Sequence, residues 1–193
     1  MTELPIDPIA IDLGEVLQKT VTSLYSHLVT RPTGRAVRLA IETQLQGAGD
    51  RSLSLIDLSE VVIIDFSCAD EVIAKLLQGA RDNETHEAFF VFSGVHGPHR
   101  GPIEVVLERQ GLAAVVETDP GTFGLLGVHS DREARVWGRL EERGAVASED
   151  AETVFPDPAD RTVLDDLVDR GLAFRSPTSG RVHALSRLVR HLM

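Results

Sequence analysis

Cysteine is almost absent: Cys68 is the only one in 193 residues. That excludes an internal disulfide and a cysteine-rich zinc site, and a lone cysteine in an apolar stretch reads as a small core hydrophobe. Positive charge is scarce, 19 Lys and Arg against 30 Asp and Glu, for a net charge of −11. Nucleic acid and anionic membranes are held by summed positive charge, so general affinity for either is not expected. No apolar run approaches the ~20 residues of a membrane span, and Met1 to Ala10 lacks the basic, apolar and small-residue blocks of a signal peptide. The expected location is therefore cytoplasmic. GxSxG, HExxH, GxGxxG and Walker signatures are all missing, so neither an enzyme nor a cofactor is expected.

What is present is an alternation of two periodicities. Ile9 to Leu13 reads as a short strand, and Leu13, Val16, Leu17, Val21, Leu24 and Leu28 form a helical stripe ending before Pro32. A helix over Thr33 to Gln46 follows, then strand segments Leu53–Ile56 and Val61–Ile64, a helix Ser67–Gln78, a strand Ala88–Phe92, a helix Pro102–Gln110 and a strand Leu112–Val116. Strands alternating with helices predict a small α/β sheet with crossover connections. Asp119 to Ser130, punctuated by Gly121, Gly124 and Gly127, reads as a connector.

Beyond it the pattern becomes mostly helical. Ser130 and Glu133 make a capping box for a helix carrying Trp137 and Leu140 and stopped by Gly144. A short strand at Ala145–Ala147, a short helix at Ala151–Phe155 and a helix opened by Asp157-Pro158 and closed by Gly171 come next. Leu172–Phe174 and Arg181–Ala184 read as a hairpin, and Ser186–Leu192 as a last helix. In order and spacing this stretch resembles a winged helix.

The most informative residues are Asp57-Leu58-Ser59, the apolar run Val61 to Ile64, and the turn Asp65-Phe66-Ser67-Cys68. Together they resemble the signature of the sulphate-transporter and anti-sigma-factor-antagonist (STAS) family, over roughly residues 20–117. Phe66 stands where that pattern has its first serine, and Cys68 where it has glycine. Leu28-Val29-Thr30-Arg31, Arg35 and Ala36 before the strand, with Ala69-Asp70-Glu71 after it, are similar to STAS-like members that accompany other regulatory domains. The resemblance implies a regulatory module and not a catalytic one. In antagonists of the family the second serine of the turn is the phosphorylated switch, a position that falls on Ser67, and the implied partner surface is Asp65, Ser67, Asp70 and Glu71.

Read from the residues alone, Ser67 is an N-cap, with Asp70 three positions on. A phosphate there would meet helix amides, which favour it, and Asp65 and Asp70, which do not. Arg31, Arg35 and Arg38 share one helix end, as a solvated face or a local anion site. The loop Ser93 to Pro102, with His96, His99 and Arg100, is either flexible surface or a second anion or small-molecule site; two histidines alone do not make a metal site. In the winged-helix-like part the helix in the recognition position carries Asp157, Asp160, Asp165, Asp166 and Asp169, which phosphate would repel. Arg175, Arg181, Arg187 and Arg190 are the residues that would reach a DNA backbone.

The expected fold class is therefore α/β: a small STAS-like sheet flanked by helices over residues 1–118, a linker over 119–130, and a small α+β winged-helix-like domain over 131–193. The expected function is that of a cytoplasmic regulatory adaptor acting through protein–protein contact, with Ser67 as its candidate switch. The alternative is a transcriptional regulator with an N-terminal sensing domain and a DNA-contacting C-terminal wing. An unidentified regulatory protein is the expected partner, and a homodimer stays open. Nucleic acid is not favoured, and no membrane, metal or cofactor is expected.

Overall fold

The computed structural model describes residues 5–20, 27–47, 49–83 and 85–193. Strand β1 (Pro8–Asp12) runs directly into helix α1 (Leu13–Thr20) because Asp12 Oδ1 accepts from the Gly14 and Glu15 amides at 2.7 and 3.3 Å. The apolar stripe expected to continue to Leu28 does not. Its positions 21–26 lie outside the described residues, and His27–Leu28 is strand β2, paired in parallel with β4 (Ile63–Ile64). Pro32 starts the next helix instead of stopping the previous one: Thr30 caps α2 (Arg31–Leu45), and proline fits the first turn, where its missing N–H is no loss.

The chain continues through β3 (Arg51–Asp57), β4, α3 (Phe66–Ala69), a π-helical turn (Asp70–Ala74), α4 (Lys75–Asp82), β5 (Glu87–Ser93), α5 (Gly97–Gln110), β6 (Ala113–Asp119) and β7 (Thr122–Gly127). The main sheet has the order β1-β3-β5-β6-β7, parallel except for the β6–β7 hairpin. The segment expected as a 119–130 linker is thus largely an edge strand. Gly121 (φ +75°) makes the hairpin turn, and Gly127 (φ +96°) sits where a Cβ would lie 2.4 Å from the Leu112 carbonyl oxygen. Gly121 supplies the left-handed backbone of the turn and Gly127 the close backbone approach.

After β7 come α6 (Asp131–Arg143), β8 (Ala145–Val146), a 3-10 turn at Ser148–Asp150, α7 (Ala151–Val154), α8 (Pro158–Asp169), β9 (Phe174–Arg175), β10 (Val182–His183) and α9 (Leu185–Val189). The three short strands form an antiparallel sheet in the order β8-β10-β9. Helix, strand, two helices and hairpin follow one another as the sequence suggested, and the Ser130–Glu133 capping box is present in both directions.

Strand alternation divides the buried residues between two layers. Ile56, Phe90, Phe92, Ala114 and Val116 join α1 to α5 in one apolar cluster. Leu53, Leu55, Phe89, Val91, Ala113, Val115 and Phe123 point the other way and join Trp137, Leu140, Leu167, Phe174, Leu185 and Val189 in a second. The C-terminal residues therefore form the third layer of a sandwich. Phe174 stands edge-on to Phe89 with ring centroids 5.4 Å apart, so strand β5 and the hairpin share one core.

Candidate functional site

The turn Asp65-Phe66-Ser67-Cys68 is held from both sides. The Asp65 amide donates to the Leu28 carbonyl at 2.8 Å, and the buried Cys68 thiol donates to the Thr30 carbonyl at 3.0 Å. Gly34 lets α2 come close, since a Cβ there would lie 3.0 Å from Cys68 Cα and from Glu71 Cβ. Burial, followed by the Asp65 charge, pushes the Cys68 thiol up to about 12, so it is an inert packing residue.

Ser67 is not the cap. Asp65 holds that position in extended conformation, its Oδ1 accepting from the Cys68 amide at 2.8 Å, while the Ser67 hydroxyl donates to the same oxygen at 2.8 Å. An aspartate accepts through either oxygen and adds favourable charge at a helix start, so it wins the position from a serine two residues on. Asp65→Ala should therefore lower stability by about 1 kcal/mol, with Ser67→Ala costing clearly less in parallel urea titrations.

Glu71 is corrected as well: it is not a surface docking residue, because only 3% of it is exposed. The π-helical turn buries Glu71, Val72, Ile73 and Ala74 in succession, which suits a segment enclosed on several sides by α2, α5 and the rest of its layer. Its carboxylate meets Arg31 Nη1 at 2.8 Å, Arg38 Nη2 at 3.6 Å and Lys75 Nζ. Burial pushes the Glu71 carboxyl up, but Lys75 and Arg31 outweigh it and hold the group below the usual carboxylate range. Arg31 also reaches Asp70 at 2.9 Å.

The two candidate anion groups, Arg31, Arg35 and Arg38 in one and His96, His99 and Arg100 in the other, are largely engaged within the fold. Arg31 and Arg38 serve carboxylates, Arg38 also pairing with Glu42 at 2.7 Å, and Arg35 is exposed without a side-chain partner among the described residues. Helix α5 begins at Gly97 and not at Pro102, so His99 lies in its first turn and is fully buried. The stretch before it is pinned: Ser93 O accepts from the Leu58 amide, and Gly94 (φ +65°) packs where a Cβ would be 2.5 Å from Ser59 N. Among the described residues the Arg100 side chain pairs only with Glu104, at 3.9 Å. Among the described residues no group of three or more His, Cys, Asp or Glu could hold a metal.

His99 Nε2 lies 2.6 Å from the Val61 carbonyl oxygen, and Nδ1 lies 3.2 Å from both the Gly94 carbonyl oxygen and His96 Nδ1. Burial lowers the His99 pKa, with His96 adding to it, and burial followed by Arg181 lowers that of His183. The unfolded chain takes up protons near pH 6.5 that the folded chain refuses. Stability from these two groups is complete above about pH 6.5 and is lost as the pH falls below it. Thermal melts between about pH 7.5 and 5.5 should show this decline, with a shallower slope in a His99→Gln/His183→Gln variant.

The four arginines expected to touch DNA are mostly engaged internally. Arg175 pairs with Asp165 of α8, while Arg187 and Arg190 both turn to Glu141, Arg187 also donating to the Glu141 carbonyl at 2.9 Å. Arg181 alone forms no side-chain hydrogen bond or ion pair among the described residues.

The sequence reading missed the apolar surroundings of the turn. Val62 is 59% exposed and Phe66 53%; with Val29, Ile63 and Val105 they are five of the eight large apolar side chains exposed among the described residues. They sit on or beside β2, β4, α3 and α5, which pack on one another. A cavity of about 460 Å³ lies between the start of α3 and the end of α5, lined by Arg31, Phe66, Ser67, Asp70, Val106, Arg109 and Gln110. The signal that was available is Phe66 itself, a large apolar residue in the second position of the turn. No family model matches this chain, and comparison with curated proteins and with solved structures returned no match. No helix among the described residues is long and apolar enough to cross a membrane.

Proposed function

We propose that this chain is a regulatory adaptor that docks a protein partner at the start of the Ser67 helix, in the manner of the STAS antagonist modules its turn resembles, and that it has no catalytic role. The observation that carries this is the gathering of exposed Phe66, Val62 and Ile63 at that turn, when only five other large apolar side chains are exposed among the described residues. Exposed apolar groups gathered in one place mark contact surfaces, and an exposed aromatic is the usual anchor. Ser67 lines the cavity beside Phe66, so adding charge to its hydroxyl would alter the surface where contact is made.

The test is capture of partners from the native cell by wild type and Phe66→Asp. Phe66 is exposed, so the variant should keep its thermal stability within about 0.5 kcal/mol while losing the captured protein. Capture unchanged by Phe66→Asp would remove the docking reading. A Ser67→Asp variant that captures as well as wild type would remove the switch but not the dock. The C-terminal layer does not favour the DNA-binding alternative, because α8 is acidic and three of the four arginines are tied to carboxylates.

A further inference from the structure

Resting on the docking reading, we infer that the partner presents an acidic amphipathic segment, its apolar residues covering Phe66, Val62 and Ile63 and a carboxylate entering the cavity beside Arg109. The rim of the apolar surface is the reason. The chain as a whole carries −11, yet Arg31 and Arg109 line the cavity with Phe66, and Arg35 stands one helical turn from Arg31 on α2. Arg31 is balanced by Asp70 and Glu71, whereas Arg109 and Arg35 have no side-chain partner among the described residues.

A partner that covered Phe66 without supplying negative charge would strip water from Arg109 and leave it unpaired, which is costly. A carboxylate placed there satisfies the guanidinium through its planar fork while the apolar contact forms. Volume limits what enters: about 460 Å³ takes one or two side chains and not a whole element. The partner backbone therefore stays outside, across Phe66 and Val105, as when an amphipathic helix lies on a groove. Nucleic acid and anionic membrane offer anions too, but neither supplies apolar side chains for Val62 and Ile63.

The probe is a synthetic helical peptide of about 18 residues with leucines along one face and glutamates on the other, and a second peptide with every glutamate changed to lysine. Fluorescence anisotropy is read against the full-length wild type, Phe66→Asp and Arg109→Glu. The expected result is micromolar binding of the glutamate peptide, roughly tenfold or more weaker with either variant, and at least that much weaker for the lysine peptide. Equal binding of both peptides that is abolished by Phe66→Asp would overturn the acidic inference and leave the docking surface in place. Failure of the glutamate peptide to bind overturns the inference alone if cellular capture still depends on Phe66, and both readings if it does not. Binding of a DNA duplex or of phosphatidylserine vesicles that Arg109→Glu abolishes would also overturn it, in favour of an anionic polymer or surface.

Discussion

A chain ending at Val128 should not fold as a soluble monomer. Removing residues 129–193 uncovers the sheet face carrying Leu53, Leu55, Phe89, Val91, Ala113, Val115 and Phe123, all buried in the full chain. At roughly 1.5–3 kcal/mol for each of the six large side chains returned to water, the loss is about 9–18 kcal/mol and matches the whole stability of an ordinary domain. The opposite truncation fares no better, since Phe174, Leu185 and Val189 would lose the strands they cover. Circular dichroism and gel filtration of residues 1–128 should give an unfolded or aggregated species. For the same reason limited proteolysis should spare residues 119–130, because β7 is paired with β6 along its length. A monomeric 1–128 fragment with a cooperative melt would show that the two layers are independent domains that merely touch.

Features that depend on neighbouring residues were legible in the sequence. The Ser130–Glu133 box, the Asp157-Pro158 helix start and the strand over Ala88–Phe92 rest on hydrogen bonds or alternation within a few positions, and each is where it was expected. What buries each side of a strand was not legible. Phe89-Phe90-Val91-Phe92 says that both faces are covered, but not that α1 to α5 lie on one side and α6 to α9 on the other. The glycines of 119–130 misled because glycine marks both a loose connector and a strand that another backbone approaches, and only the Leu112 carbonyl beside Gly127 separates the two. At the site, the sequence reading made Ser67 the cap, and Asp65 takes that position with its backbone in extended form and its amide donating to the Leu28 carbonyl. His99 looked like a loop residue because two prolines and two glycines in Gly97–Pro102 hide the first turn of α5.

Glu71 is the residue whose replacement should cost most for its size, and also the one the sequence presented as an ordinary surface acid. Its carboxylate sits 3% exposed among Arg31, Arg38 and Lys75, so Glu71→Ala leaves these cations crowded around an empty place. Removing one member of a buried ion cluster costs about 3 kcal/mol, because the remaining charges keep their desolvation and lose their counterion. Lys75 can swing out to water more easily than the largely covered Arg38, so Arg38 carries most of that cost. The pH dependence separates this from simple loss of packing. The folded carboxyl is held below its ordinary range, so its contribution is fully present above about pH 4.5 and disappears as the pH falls and the folded group takes up its proton. Urea titrations of wild type and Glu71→Gln should therefore differ widely near pH 7 and converge toward about pH 3. A gap of the same size at both pH values would mean that Glu71 acts through shape and hydrogen bonding alone, and that the arginines and Lys75 do not depend on its charge.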